Sequence, residues 1–503
     1  MRTRHSQGSL RRTLLACTAF FLSACSVGPD FERPKESDAT AFVAQPLPDA
    51  TAASTGQGGE AQHLEPGKDI PAQWWTMFHN APLNALIADA LKTNPDVASA
   101  RAALKVAMEN ARAQQGAYYP SISAGFGASR NLNAAPLAPT LSSGTLLYNL
   151  YQAQLSADWT LDIWGGNRRA VEALDAQTEA QRFQLEATQL ALTTNVVANA
   201  VQEASLRAQI RATDEIIKAE TDSLAILRRQ EQLGQIAGAD VTAQEAALAQ
   251  AQATLPPLLK QLALARDALT ALAGRLPCEE IEQTFELSSL SLPEDVPLSL
   301  PSKLVEQRPD IRIAEANLHA ASAAVGVAIA NMLPNFTISA GGGSVATEFS
   351  QLFTPGGAFW TVAGGATQPL FEGGTLLHKT RAARANLDQV AAQYRSVVVT
   401  AFQNVADSLH ALNSDANLLK AAAASEHAAG TSLAIAHRQL DLGSISYLGL
   451  LNAQQTYQQA VIARIQAQAD RYADTAALFQ ALGGGWWNRN DVVEADAYTP
   501  TKE

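Results

Sequence analysis

Two periodicities alternate along the chain. Val97, Ala100, Leu104, Ala107 and Ala111 recur at spacings of 3, 4, 3 and 4, the seam of a coiled coil built from small knobs. Further on the period falls to two. Tyr151, Ala153, Leu155, Ala157, Trp159 and Leu161 alternate with Gln152, Gln154, Ser156, Asp158, Thr160 and Asp162, which predicts a strand with one apolar and one wet face. Ile122, Ala124, Phe126 and Ala128 repeat the alternation, as do Phe336, Ile338 and Ala340, and Trp360 and Val362 carry a shorter echo. Any one of these fits the edge of a soluble sheet. Taken with the export signal described below, strands of about ten residues raise the alternative of a transmembrane β-barrel.

The helical stretches are long. Residues 167–233 contain neither Gly nor Pro, and the same holds for 375–429. At about 1.5 Å per residue the first would reach roughly 100 Å, a length that belongs to coiled coils or tunnels. Return paths are predicted from shorter pieces, 239–273 with 83–115 and 448–482 with 302–330. A local break is expected at Pro256-Pro257. Leu233-Gly234 and Leu442-Gly443 are predicted as the far turns, where glycine permits reversal.

The chain repeats itself. Pro95 and Pro309, in Asn94-Pro95-Asp96-Val97 and Arg308-Pro309-Asp310-Ile311, stand 214 residues apart, and so do Pro120 and Pro334 at the heads of the two strand regions. Trp164-Gly165-Gly166 and Glu372-Gly373-Gly374 are offset by 208, and the two Leu-Gly turns by 209. Four landmarks in one order make the chain two copies of one unit. The reading divides it into an export signal at 1–24, a lipid-anchored tether at 25–80, a first repeat at 81–273, a linker at 274–301, a second repeat at 302–482 and a tail at 483–503. The fold class is mainly α with a small β part.

Composition agrees with elongated packing. Of 503 residues only 17% are charged and 6% aromatic, low for a compact enzyme. The apolar share of 47% excludes general disorder, and the net charge of −12 argues against nucleic acid. No run of eighteen apolar residues follows the N-terminus, so no spanning helix is expected. Arg2, Arg4, Arg11 and Arg12 precede an apolar stretch that ends in Leu22-Ser23-Ala24-Cys25, the pattern of a bacterial lipobox, whereas Cys17 lies too close to Arg12 for an apolar core. Cys25 is therefore the predicted lipidated residue, and Ser26 after it points by sorting rules to the outer membrane. Loss of residues 1–24 removes four Arg and no acid, leaving −16. Cys278 is then without a partner.

Familiar catalytic signatures are missing. The chain has no H-E-x-x-H, P-loop, G-x-S-x-G or paired C-x-x-C, and none of its eight His stands four residues from another. No enzyme, cofactor or metal is expected, apart from a covalent acyl and diacylglycerol group on Cys25. Four strands cannot close a barrel, and hydrocarbon tolerates no open edge. Two copies would supply eight strands that fill their own interior. Three would supply twelve and leave room for water.

The ordered motifs resemble the TolC-like outer-membrane efflux protein family, in its lipoprotein branch serving RND-type pumps. They include Val27-Gly28-Pro29-Asp30-Phe31, Trp74-Trp75, Leu161-Asp162-Ile163-Trp164-Gly165, Pro369-Leu370-Phe371-Glu372-Gly373-Gly374, Gly443-Ser444-Ile445-Ser446-Tyr447-Leu448 and Gly483-Gly484-Gly485-Trp486. The resemblance implies a homotrimer with a 12-stranded barrel above and a 12-helix tunnel below. It also implies a periplasmic adaptor and an inner-membrane pump as partners, and passive export of small molecules. By the same resemblance Gly234, Gly443, Ser446, Tyr447 and Leu448 belong to a periplasmic tip contacted by the adaptor. Relatives often carry carboxylates just beyond that tip motif, where Gly449 and Asn452 stand here, so Asp441 becomes the candidate constriction residue. Two rival readings are a lipid-anchored periplasmic coiled-coil scaffold without a pore and a general diffusion porin. The first leaves the strands unexplained, the second the helices.

Overall fold

The computed structural model describes residues 26–35, 39–46, 48–132 and 147–489. The export signal, Cys25 and the end of the tail lie outside the described residues. In chain order β1 (His63–Pro66) precedes the first repeat, which gives α1 (Ala81–Thr93), α2 (Pro95–Gln115), β2 (Ser121–Leu132), β3 (Leu147–Leu161), α3 (Gly166–Gln232) and α4 (Gly238–Leu272). Between the repeats lies β4 (Asp295–Leu298), and the second repeat gives α5 (Pro301–Gln307), α6 (Pro309–Ala330), β5 (Asn335–Ala346), β6 (Ala358–Thr367), α7 (Thr375–Asp441) and α8 (Tyr447–Ala481).

The repeat is exact where the helices are long. α3 and α7 each have 67 residues, and α4 and α8 each have 35. Their ends are capped alike. Gly234 at φ +71° donates to Glu231 O at 2.8 Å while Gln235 N reaches Gln230 O at 2.9 Å. Gly443 at φ +67° donates to Leu440 O, and Ser444 N to Gln439 O, both at 2.9 Å. This pair of bonds closes the last helical turn, and it needs the left-handed backbone that glycine adopts without cost to a Cβ.

Contacts divide the chain into two units. The first, made of residues up to 34, 105–180 and 314–394, holds an antiparallel sheet of order β2-β3-β5-β6. Register places Ile122 opposite Ala157, Ala157 opposite Ala340 and Ala340 opposite Val362, so one face collects the apolar positions of all four strands. Ile122, Trp360 and Val362 on that face are 75%, 81% and 67% exposed. The other face carries Ser123, Gln154, Ser156, Thr337 and Ser339, and Ser123 Oγ lies 2.8 Å from Ser156 Oγ.

The second unit, residues 35–104, 181–313 and from 395 onward, packs around Ile70, Trp74, Phe78, Phe285, Tyr472 and Phe479, each fully buried. β1 pairs in parallel with β4, joining the N-terminal segment to residues between the repeats. Residues 48–80 are thus packed structure rather than part of the tether expected at 25–80 from the Ala, Pro, Gly and Thr of residues 26–70. The buried Arg471 guanidinium donates to Gly58 O, Glu60 O and Thr51 Oγ1, and Gln57 donates to three carbonyls at 287, 288 and 290. Side chains far away in sequence satisfy a backbone that has little order of its own.

Other expectations are corrected. α4 runs unbroken through Pro256 and Pro257. Residues 252–254, 256 and 257 are exposed, so water can bond the carbonyls left without an N–H. α7 runs through Gly430 as far as the turn expected at Leu442-Gly443; at Gly430 an added Cβ would lie 3.3 Å from the Tyr457 ring, so the missing side chain admits a close neighbour. The 83–115 and 302–330 pieces are each interrupted one residue before a proline, at Asn94 and Arg308, whose backbones are extended. Among the described residues one helix, α6, is long and apolar enough to cross a membrane, with mean hydropathy 1.3 over an 18-residue window, half of it buried within the chain. Cys278 is exposed and free.

Candidate functional site: the hairpin tips, the N-terminal clasp and the two-faced sheet

In the second unit the turn between α3 and α4 and the turn between α7 and α8 are joined by one apolar cluster. Leu224, Leu227, Val241, Ala436, Tyr447 and Leu450 are its buried members. Leu233, Leu442 and Leu448 remain 57%, 77% and 62% exposed, so the turns present large apolar side chains outward. Gly234, Gly443, Ser446 and Leu448 are accessible. Ser446 occupies the N-cap of α8 and accepts Gly449 N–H through its carbonyl rather than its hydroxyl.

Tyr447 is different: it points inward. Its hydroxyl donates to Gln244 Oε1 at 2.5 Å, and Gln244 Nε2 donates to Glu220 Oε2 at 2.5 Å and to Glu220 O at 2.8 Å. Gln458 Nε2 completes the cluster on Glu220 Oε1 at 3.1 Å. Burial, reinforced by the charges of Glu220 and Asp240, pushes the Tyr447 hydroxyl up to about 12. It therefore stays protonated and donating at any physiological pH. Three helices, α3, α4 and α8, meet here through a connected polar chain, and α7 adds Ala436 to the apolar shell. Sequence reading reached Tyr447 but neither Gln244 nor Glu220, since Gln and Glu are scattered along all these helices.

Asp441 is the last residue of α7 and is exposed. A carboxylate at a helix C-terminus faces the negative end of the dipole, so the fold gains nothing from it there. No hydrogen bond or ion pair joins it to Tyr447. Among the described residues no group of three His, Cys, Asp or Glu side chains is placed to hold a metal.

Cys25 itself lies outside the described residues, but those that follow are clasped within the first unit. Val27 N donates to Trp164 O at 3.0 Å, and Gly28 at φ +99° crosses Gly326 so closely that a Cβ would stand 2.4 Å from its Cα. Arg169 reaches Asp30 at 2.5 Å and Glu172 at 2.8 Å. Phe31 stacks on His319 with ring centroids 4.3 Å apart, and Arg33 pairs with Glu315 at 2.8 Å.

The sheet supplies the remaining observation. Among the described residues β2 and β6 are each paired on one side only. Four strands of 10 to 15 residues with an apolar face open to the surroundings match the height of a bilayer core. A family model described as "Outer membrane efflux protein" matches residues 86–275 and 300–484, both repeats. The chain belongs to that family. It is a TolC-like outer-membrane efflux channel, an exit duct, and the family is one of channels rather than enzymes. A similar relative is the probable efflux pump outer membrane protein TtgC of Pseudomonas putida, 29% identical over 97% of this chain and 98% of the relative. The outer-membrane channel OprN is 25% identical and covers 92% of this chain and 100% of its own, with a TM-score of 0.81. The CmeC outer membrane channel of Campylobacter jejuni shares the fold at 21% identity and a TM-score of 0.82, covering 93% and 97%.

Proposed function

We propose that three copies of this channel close a 12-stranded barrel in the outer membrane, and that their α3, α4, α7 and α8 helices, completed by the shorter ones, line a 12-helix tunnel in the periplasm. The observation that carries the reading is the sheet with one wet face, one apolar face and two unpaired edges. Hydrocarbon requires every backbone N–H and C=O to be paired, and a ring of copies is the arrangement that leaves no edge. A scaffold without a pore would leave the apolar face against water.

The duct works passively in this reading, as the outer part of a tripartite system. An inner-membrane pump of the RND type supplies energy, and a periplasmic adaptor contacts the exposed tip formed by Gly234, Gly443, Ser446 and Leu448. Acylation of Cys25 adds an anchor beside the barrel, and the clasp at 26–34 fixes the chain that leaves it. Small amphipathic molecules such as drugs and organic solvents are the cargo class, supported by the efflux role of relatives such as TtgC. The test is twofold. Mass measurement of the detergent-solubilised protein should give three chains, and a planar bilayer should show low conductance that rises when Tyr447 is cut back. A monomer that stays in solution after Cys25→Ala would overturn the reading.

A further inference from the structure

Away from the tips, α7 and α8 are packed through small and aliphatic side chains, with Leu412, Ala416 and Leu419 of α7 and Ala467 and Ala476 of α8 all buried. Asp415 interrupts this seam. α7 and α8 pack against each other here through Leu419, Ala422 and Ala467, and Asp474 and Asp470 of α8 are the acidic groups acting on the Asp415 carboxyl, Asp474 as its hydrogen-bonding neighbour. The cation acting on Asp415 among the described residues is Arg471, also on α8. Arg471 is fully buried, and its two terminal nitrogens are committed to Gly58 O, Glu60 O and Thr51 Oγ1. Glu60, on the N-terminal segment, faces Arg471 in turn.

Two atoms at this place are buried without a hydrogen-bond partner, Asp415 Oδ2 and Arg471 Nε. Two carboxyl groups can share a hydrogen bond only if one of them carries a proton. With both ionised, repulsion and desolvation act on a contact beside which Arg471 is already engaged elsewhere.

We propose that Asp415 and Asp474 form a proton-operated clamp between α7 and α8, closed when one proton is shared and loosened when it is lost. Burial first, then the bond to Asp474 and the charges of Asp474 and Asp470, raise Asp415 to about 7 against the opposing pull of Arg471. The sign follows from linkage. An acid whose folded-state value is raised holds its proton in the packed state but not in the opened one. The clamp is thus strongest below the ordinary carboxylate range, weakens as pH rises towards 7 and changes no further above it. This device adds to the exit-duct reading without resting on it, because it concerns the packing of one hairpin root.

The experiment is hydrogen exchange of residues 466–481 in the solubilised full-length protein between pH 5 and 8, corrected for intrinsic exchange. The opening equilibrium should climb up to about ten-fold per pH unit until near 7, then level off. Asp415→Asn, which keeps the shape and a donor, should abolish the slope. Asp474→Asn, which removes the like charge, should move the levelling point to lower pH. Infrared spectra at pH 6 should show a protonated carboxyl band that Asp415→Asn removes, a readout independent of how stably either variant folds. A wild-type slope equal to that of Asp415→Asn, or no such band, would overturn the proposal.

Discussion

The hydroxyl of Tyr447 and the amide oxygen of Gln244 are 2.5 Å apart although 203 residues separate them, so the head of α8 is bonded to the first turns of α4. This is a direct side-chain tie between the two hairpins, it continues through Gln244 to Glu220, and Gln458 of α8 adds a second on Glu220. Tyr447→Phe would keep the ring in its apolar cluster and remove the donor, leaving Gln244 Oε1 buried and unsatisfied. The local cost is about 1–3 kcal/mol. Single-channel recording should show a larger or more frequently open duct for the variant. Because the hydroxyl titrates near 12, wild-type behaviour at this bond should be flat between pH 5 and 9. An unchanged closed conductance in Tyr447→Phe would mean that packing alone holds the tips.

Much of this architecture is legible from residue pattern, and the limits are physical. Proline offsets and the Leu-Gly pairs locate the repeat and both tips, because caps are local and glycine at φ near +70° has few substitutes. Tyr447 reads, by resemblance, as part of the adaptor-contacted tip, since its partner is distant and Gln244 carries no mark that separates it from the other Gln of α4. Pro256-Pro257 reads as a break because proline rules describe an isolated helix, whereas here water reaches the freed carbonyls and tertiary packing holds the rest. The segment at 48–80 looks like a linker by composition. The buried Ile70, Trp74 and Phe78, the pairing of β1 with β4 and the bonds of Arg471 and Gln57, all read in three dimensions, explain why it is ordered.

Adjacent positions on β6 offer a sharp test of the sheet's two faces. Val362 is on the apolar face and Thr361 on the other. A lysine on a lipid-facing position near mid-bilayer costs about 2–4 kcal/mol, while one facing water costs little. Val362→Lys should reduce the amount of assembled protein in outer-membrane fractions several-fold, and Thr361→Lys should leave it near wild type and shift ion preference towards anions. Equal loss from both would place neither residue against lipid.

The clasp after the anchor predicts a sensitivity at glycine. Gly28 combines φ +99° with the close crossing of Gly326, so Gly28→Ala incurs both backbone strain and overlap, about 1–3 kcal/mol together. The expected outcome is release of the segment 26–34 from Arg169, His319 and Glu315, read as faster protease clipping near the N-terminus while the rest of the chain stays resistant. Clipping at the wild-type rate would show that Arg33–Glu315 and Arg169–Asp30 hold the segment without the crossing.

Asn94 and Arg308 precede the equivalent prolines of the two repeats and do the same task by different chemistry. Asn94 Nδ2 donates to Leu272 O at 3.0 Å, and Arg308 Nη1 donates to Ala481 O at 2.7 Å, the final residues of α4 and α8. Each thus satisfies a carbonyl at the end of a return helix, which would otherwise be left without an intrahelical donor. Asn94 also caps α2 through Asp96 N and Val97 N, whereas Arg308 is tied to the Asp310 carboxylate. Removing Arg308 leaves a helix-terminal carbonyl buried and a carboxylate without its cation, while removing Asn94 costs a cap and one carbonyl bond. Arg308→Ala should therefore lower the unfolding temperature more than Asn94→Ala, for which about 1–2 kcal/mol is expected. Arg308→Asn, which copies the first repeat's solution, should recover part of the difference, because an amide can reach the carbonyl but cannot answer Asp310. A larger effect from Asn94→Ala would show instead that the cap of α2, and not the carbonyl of the return helix, is what this position supports.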